Sequence, residues 1–203
     1  MQVVCLDLEG VLIPEIWIAF SQRTGIAEFS RTTRDEPDYD KLMRWRLDLL
    51  RRHGLKLADI QAVIGDLAPL DGAKDFLDDL RARYQVIILS DTFYEFADPL
   101  MRQLGRPTLF CHRLVIDADG FVADYRLRQS DQKRHAVQAL QELNFRVIAA
   151  GDSYNDTAML AAADAGFLIH PPANVVAQFP QFPVTTSYAE LKAAIDGAAA
   201  RLS

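Results

Sequence analysis

Three short apolar runs in this chain each stop at a polar cluster, and that pattern restricts the fold more than any other feature. Met1–Leu8 (MQVVCLDL) runs into Asp7, Glu9 and Gly10. Gln85–Leu89 (QVIIL) runs into Ser90-Asp91-Thr92, and Arg146–Ala150 (RVIAA) into Gly151-Asp152-Ser153. Apolar runs of this length, bounded by turn residues, read as strands buried on both faces of a parallel sheet. Gly166–Ile169 (GFLI) reads as a fourth. Helix-period segments lie between them. Gly72–Tyr84 carries apolar residues 76, 77 and 80 on one face, Ser130–Leu143 is similar, and another helix starts at Asn155–Ala163. An alanine-rich helix is expected at Tyr188–Leu202. Strands alternating with helices predict an α/β fold with a doubly wound, mostly parallel sheet and right-handed crossovers. Ligands of such sheets bind beyond the carboxyl ends of the strands, where the acidic clusters fall.

Two stretches interrupt the alternation. Residues 14–69 are mostly helical, with helices expected at Glu15–Thr24, Tyr39–His53 and Leu57–Leu67. That is too long for a crossover and predicts an inserted helical cap, leaving 1–13 and 70–203 as the α/β core. Trp17, Phe20, Phe29 and Trp45 recur at helical spacing and are expected to pack that cap. Residues 109–128 alternate around Asp119-Gly120, a hairpin signal, and predict a small β-hairpin within the core.

The 203 residues allow one domain carrying an insert, and half of them are hydrophobic, enough for a real core. A net charge of −6 argues against a nucleic-acid partner. No apolar stretch approaches the ~18 residues of a membrane span. The N-terminus lacks the basic region of a signal peptide. Cys5 and Cys111 form no framework, so a reducing cytoplasm is expected. The four histidines, 53, 112, 135 and 170, have no ligand spacing. A homodimer is compatible with the chain, and nothing in the sequence sets the assembly.

The clusters themselves suggest chemistry. In Asp7-Leu8-Glu9-Gly10-Val11, one acid at a strand end can attack phosphorus, and a second two residues on can act as general acid and base; an acidic turn is the alternative. In Gly151-Asp152-Ser153-Tyr154-Asn155-Asp156, two acids four apart can hold a hard cation or cap a helix. Ser90-Asp91-Thr92 offers a hydroxyl and backbone N–H groups at an expected helix start, which suit a phosphate or a cap. Lys133 opens a helix and can neutralise a phosphate or remain a surface lysine. An acidic chain that handles phosphate needs such a local cation or a metal.

Taken in order, acid pair, Ser/Thr, Lys, acid pair, these residues resemble the haloacid dehalogenase-like hydrolase superfamily over nearly the whole chain. Asp7-Leu8-Glu9-Gly10-Val11 is similar to its first motif, Ser90 to its second, Lys133 to its third and GDSYND to its fourth. The resemblance implies a Rossmann-like core and an aspartyl-phosphate mechanism. In it Asp7 is the nucleophile and Glu9 protonates the leaving alcohol and then activates water. Ser90 and Lys133 hold phosphoryl oxygens. Mg²⁺ is bound by the side chains of Asp7 and Asp152 and the backbone carbonyl of Glu9, with Asp156 in support. Asp91 and Asn155, on the same loops, join the substrate-binding set.

The layout is most similar to the phosphoserine phosphatase family. There, Glu15 would pair with the substrate ammonium and Arg46 would grip its carboxylate, with Arg44 and Arg51 as rivals for that role. The cap is expected to close as a lid. Three positions depart from the family pattern: Glu9 stands for an aspartate, Ser90-Asp91-Thr92 for Ser-Gly-Gly, and GDSYND for GDGAND. With PEIWIAF and SDTFYEF, these departures are similar to a bacterial branch that is both phosphoserine phosphatase and homoserine phosphotransferase. That branch implies O-phosphoserine as donor, with water or homoserine as acceptor. Another small phosphate ester, a sugar phosphate or nucleotide, is the alternative substrate.

Overall fold

The computed structural model describes residues 1–32, 35, 36 and 38–202; the expected cap includes residues 33, 34 and 37, which lie outside the described residues. At its centre is a seven-stranded sheet of order β4-β3-β2-β1-β5-β6-β7. The strands are β1 (Gln2–Leu6), β2 (Gln85–Phe93), β3 (Thr108–Ile116), β4 (Val122–Arg126), β5 (Arg146–Gly151), β6 (Ala165–Ile169) and β7 (Val184–Thr185). All neighbours pair in parallel except β3 and β4. From β1 the chain builds outward through β2 and β3, then returns to the other side of β1 with β5, β6 and β7. The order therefore reverses between β1 and β5, and the crevice for a ligand opens there.

The period of two along each strand divides the core into two layers. Val4, Leu6, Ile88, Ile148 and Ala150 pack on one face with α4 (Ala73–Arg81), α5 (Tyr94–Gln103) and α9 (Tyr188–Arg201). Val3, Cys5, Leu89, Val147 and Ala149 pack on the other with α6 (Gln132–Glu142), α7 (Thr157–Ala162) and α8 (Ala173–Gln178). Val3 to Leu6 are all at most 2 % exposed, so the expected central strand is borne out.

Residues between β1 and β2 form α1 (Ile16–Thr24), a 3₁₀ turn at Ala27–Ser30, α2 (Tyr39–Arg52) and α3 (Leu57–Gly65). Trp17, Phe20 and Phe29 of this insertion pack together with Phe96 of α5, Trp17 lying 5.7 Å from Phe29 and 5.3 Å from Phe96. These aromatics are packing, as expected. A second tie follows from Pro99 inside α5. Proline has no N–H to offer the carbonyl four residues back, that of Glu95. Gln61 of α3 donates to that carbonyl at 2.8 Å, so the insertion supplies the bond the helix lacks.

One expectation needs correction. β2 runs on through Ser90-Asp91-Thr92 to Phe93, and α5 begins only at Tyr94. Ser90 and Asp91 are therefore strand-end residues and not a helix start. The register shift between Leu89 and Phe93 marks where the strand departs from regular pairing. β3 and β4 form an antiparallel hairpin that joins the main sheet through β3, beside β2. Its turn is closed by Asp117, whose carboxylate accepts from Phe121 N–H, and by Gly120 at φ +87°.

Candidate active site

The chain leaves β1 with Asp7, whose N–H still donates to Ala150 of β5 at 2.9 Å. This bond fixes the residue at the switch point, with its side chain 6 % exposed. Gly10 follows at φ +77°, a conformation that suits glycine. A Cβ at Gly10 would come within 2.5 Å of the Asp152 carboxylate, so the loop after β1 lies directly against the loop after β5.

Lys133 is the second residue of α6, where a side chain naturally reaches back over the helix N-terminus. Its Nζ is 2.8 Å from Asp7 Oδ1, 2.8 Å from Asp156 Oδ1 and 3.8 Å from Asp91 Oδ2. A buried ammonium is tolerable only when paired this well. Burial opposes its charge, but Asp156, Asp7 and Asp91 outweigh that and push its pKa well above the ordinary lysine value. For Asp7 the balance is the reverse. Burial and the Asp156 charge raise its carboxyl well above the usual range, and Lys133 offsets only part.

Asp156 is fully buried and spends both oxygens within the protein. Oδ1 meets Lys133, and Oδ2 accepts the N–H groups of Asp152 and Ser153. Asp152 differs, because its Oδ1 is buried and accepts no hydrogen bond. Burial, then the charges of Asp156 and Glu15, push the Asp152 carboxyl up to about 7. Oxygens of Asp7, Asp152 and Asp156 lie within 4.8 Å of one another. With Asp91, four carboxylates face one ammonium. An orphaned carboxylate oxygen in an all-oxygen cluster with excess negative charge suits a hard divalent cation.

Ser90 is buried at 2 % exposure, and its Oγ accepts Thr92 N–H at 3.2 Å. Asp91 and Asn155 are brought together: Asn155 Nδ2 donates to Asp91 Oδ2 at 3.0 Å. Burial would raise the Asp91 carboxyl, but Lys133, His112 and Asn155 hold it well below the usual range. His112 and Gln132 are buried partners that sequence reasoning missed. His112 Nδ1 accepts Arg128 N–H, leaving Nε2 toward Asp91 at 3.7 Å. Gln132 donates to the Ser90 carbonyl. Neither belongs to a motif, and only the three-dimensional neighbourhood marks them.

Glu9 is partly buried, and its Oε2 accepts Ile16 N–H at 2.9 Å. Burial and Glu15 push its carboxyl up to about 7 against the Ile16 amide, the Thr92 hydroxyl and Arg46. Glu15 precedes α1 and is exposed. Arg46 is 7 % exposed on α2. Its Nη2 donates to the Arg31 carbonyl at 2.7 Å, its guanidinium lies 4.5 Å from the Trp17 ring centre, and its Nε has no partner. Burial lowers its pKa to about 10, against the opposing charges of Tyr39, Glu9 and Glu15. Arg44 and Arg51 are exposed and paired with Asp40 and Asp117.

Among the described residues no helix is long and apolar enough to cross a membrane. The model of the haloacid dehalogenase-like hydrolase family matches residues 1–164. A protein named phosphoserine phosphatase from Pseudomonas syringae pv. tomato is 62 % identical over 95 % of this chain and 81 % of its own length. One named phosphoserine phosphatase ThrH, from Pseudomonas aeruginosa, is 62 % identical over 95 % of this chain and 94 % of its own. A solved structure described as a phospho-aspartyl intermediate analogue of phosphoserine phosphatase aligns with a TM-score of 0.73 at 17 % identity, covering 90 % of this chain and 91 % of that one; it speaks for the fold. The chain belongs to the haloacid dehalogenase-like hydrolase family.

Proposed function

We propose that this chain is a phosphoserine phosphatase that works through an aspartyl phosphate on Asp7 and also passes the phosphoryl group from phosphoserine to homoserine. One observation carries the reading: a buried carboxylate at the switch point, paired with Lys133, beside an acid whose proton affinity lies near neutrality. The names of the 62 % identical relatives support the substrate.

In the first step an Asp7 oxygen attacks phosphorus and the ester P–O bond breaks. The serine oxygen leaves with the bonding pair and takes the proton held by Glu9. In the second step Glu9 takes a proton from water, or from the homoserine hydroxyl. That oxygen attacks phosphorus, and Asp7 is released as a carboxylate. Ser90 and Lys133 hold the phosphoryl oxygens, with Asp91 and Asn155 bracing the same edge. Asp7 and Asp152, with the Glu9 carbonyl and support from Asp156, would hold Mg²⁺. Such an ion supplies positive charge against the phosphoryl oxygens and the anionic nucleophile.

Residues 14–69 then act as a cap over a core of 1–13 and 70–203. Glu15 meets the substrate ammonium, and Arg46 leaves the Arg31 carbonyl to take the carboxylate. Its partnerless Nε and nearness to Glu9 favour it over Arg44 and Arg51, whose heads are engaged on the surface. A small polar metabolite and two buried free thiols fit a cytoplasmic enzyme.

The test is incubation with phosphoserine and Mg²⁺, with and without homoserine, assaying free phosphate and phosphohomoserine. Both products are expected, and both should vanish with a chelator. If neither product forms, the proposal fails. Equal rates on sugar phosphates or nucleotides would remove the amino-acid reading.

A further inference from the structure

The register of β2 against β3 jumps at the candidate site. Leu89 pairs with Phe110 and Phe93 with His112, so Ser90, Asp91 and Thr92 stand opposite Cys111 alone. Such a bulge takes backbone groups out of the regular ladder, and those need other partners. Side chains supply them. Ser90 Oγ accepts Thr92 N–H at 3.2 Å. Gln132, buried in the first turn of α6, donates to the Ser90 carbonyl. Tyr39, half-buried in the first turn of α2, donates from its phenol to the Asp91 carbonyl at 3.4 Å. Two consecutive carbonyls of the bulge are thus held from different places, one from the core and one from the insertion.

The chemistry above gives Tyr39 no role. Its bond is at the long end for O–H···O, so a small shift of α2 makes or breaks it. The rest of that helical turn is seated on the same corner. The Tyr39 ring meets the Tyr125 ring of β4 edge-on at 6.0 Å. The Tyr125 ring lies 6.1 Å from that of Phe93, the residue that ends β2, and its hydroxyl donates to Asp40 at 2.5 Å. Asp38 caps the turn by accepting Lys41 N–H at 3.1 Å. Burial and the Asp91 charge push the Tyr39 phenol pKa up, so it stays a donor at neutral pH. Two turns farther on, Arg46 lies on the same face of α2. The start of α2 therefore rests on the end of β2, and the arginine proposed for the substrate carboxylate is carried by the same rigid helix.

We propose that Tyr39 is a positioning residue that joins the insertion to the phosphoryl-binding edge, holding the Asp91 carbonyl so that the bulge keeps the pose in which Ser90 receives a phosphoryl group. This rests on Ser90 and Lys133 as the groups that hold phosphoryl oxygens. It has a consequence that packing alone does not. Coupling between two sites is reciprocal. A seated α2 fixes the bulge, so a phosphate bound at the bulge holds α2 in its seat. Inorganic phosphate has neither the carboxylate nor the ammonium proposed to meet the insertion, so it reports on this link alone.

The experiment uses the full chain with Mg²⁺, with and without inorganic phosphate. It follows amide hydrogen exchange over residues 39–52 and measures phosphate affinity by calorimetry. Tyr39→Phe removes the hydroxyl and keeps the ring against Tyr125. In the wild type, phosphate should slow exchange in α2. In Tyr39→Phe that slowing should be lost, and phosphate should bind about fivefold more weakly, the change expected for one neutral hydrogen bond. Phosphate that binds the wild type without slowing exchange in α2 overturns the proposal, whatever the variant does. So does a Tyr39→Phe protein that keeps the slowing or binds phosphate as tightly as the wild type. A wild type that binds no phosphate would instead overturn the phosphoryl-holding role of Ser90 and Lys133, and the proposal with it.

Discussion

The two halves of the candidate site are built differently. At the sheet edge, Asp7, Lys133, Asp156 and Ser90 are buried, the first three are joined through the Lys133 ammonium, and the strands beside them are almost wholly enclosed. On the insertion, Glu15 is exposed and Arg46 is turned to a backbone carbonyl and an indole ring. Groups that handle a phosphoryl group gain most from being fixed in advance, because they act where charge develops. Groups that recognise the rest of a substrate can be brought in by motion, and their engagement can then signal that the correct ligand is present. Under the proposed function, the contrast puts chemistry in the buried half and selectivity in the insertion.

The hardest blow to the rigid half is Asp7→Asn. Turnover should fall by about 10⁴-fold or more, because an amide cannot form the acyl phosphate. The same change removes one of four carboxylates crowded around one ammonium. Melting in chelator should therefore show no loss of stability, and a marked loss would mean that Asp7 is chiefly a structural ion-pair partner. Lys133→Met should do the opposite, leaving buried acids uncompensated and costing about 3–5 kcal/mol in chemical denaturation. Under the proposed function, the insertion should respond selectively. Arg46→Ala is expected to reduce kcat/KM for phosphoserine by roughly 100-fold, about 3 kcal/mol for a lost charged bidentate contact, while sparing nitrophenyl phosphate. Equal losses on both esters would erase the division of labour.

Much of the rigid half was legible in the sequence, because its residues follow apolar runs whose endings can be read directly. Asp7, Asp152 and the helix that carries Lys133 fall where strand and helix periodicities put them. The extension of β2 through Ser90-Asp91-Thr92 was not legible, since polar residues at a strand end look like a helix cap until the pairing with β3 is known. β7, two residues long, has no period to detect. α5 carries a proline that argues against a helix, and the donor that compensates for it, Gln61, lies in another segment. His112 and Gln132 make long-range contacts that no local pattern encodes. On the insertion, the helices were readable from their spacing, but which of three arginines turns inward depended on burial.

Smaller effects probe how the halves are joined. Gln61→Ala leaves the Glu95 carbonyl without its donor and should cost about 1 kcal/mol of stability with little change in turnover. A large fall in turnover would show that α3 does more than anchor the insertion. The smallest effect belongs wholly to the core. Asp164 accepts Val147 N–H at 2.8 Å, and although burial acts to raise its carboxyl, Val147, Gln141 and Arg146 hold it below the ordinary value. A carboxyl whose pKa is depressed on folding adds stability above its unfolded value, near 3.9, and loses it as pH falls through the folded value. Asp164→Asn should therefore cost stability at pH 7 and progressively less below about pH 4. A cost independent of pH would locate the effect in packing.

All of this depends on Asp7 carrying the phosphoryl group. Phosphorus-labelled phosphoserine, mixed with the Mg²⁺-loaded protein and quenched in acid within a turnover, tests that most directly. The account predicts a hydroxylamine-labile label on the peptide containing Asp7, absent from Asp7→Asn and lost faster when homoserine is present. Release of phosphate with no label ever found on Asp7, or a labelled and active Asp7→Asn protein, would contradict it.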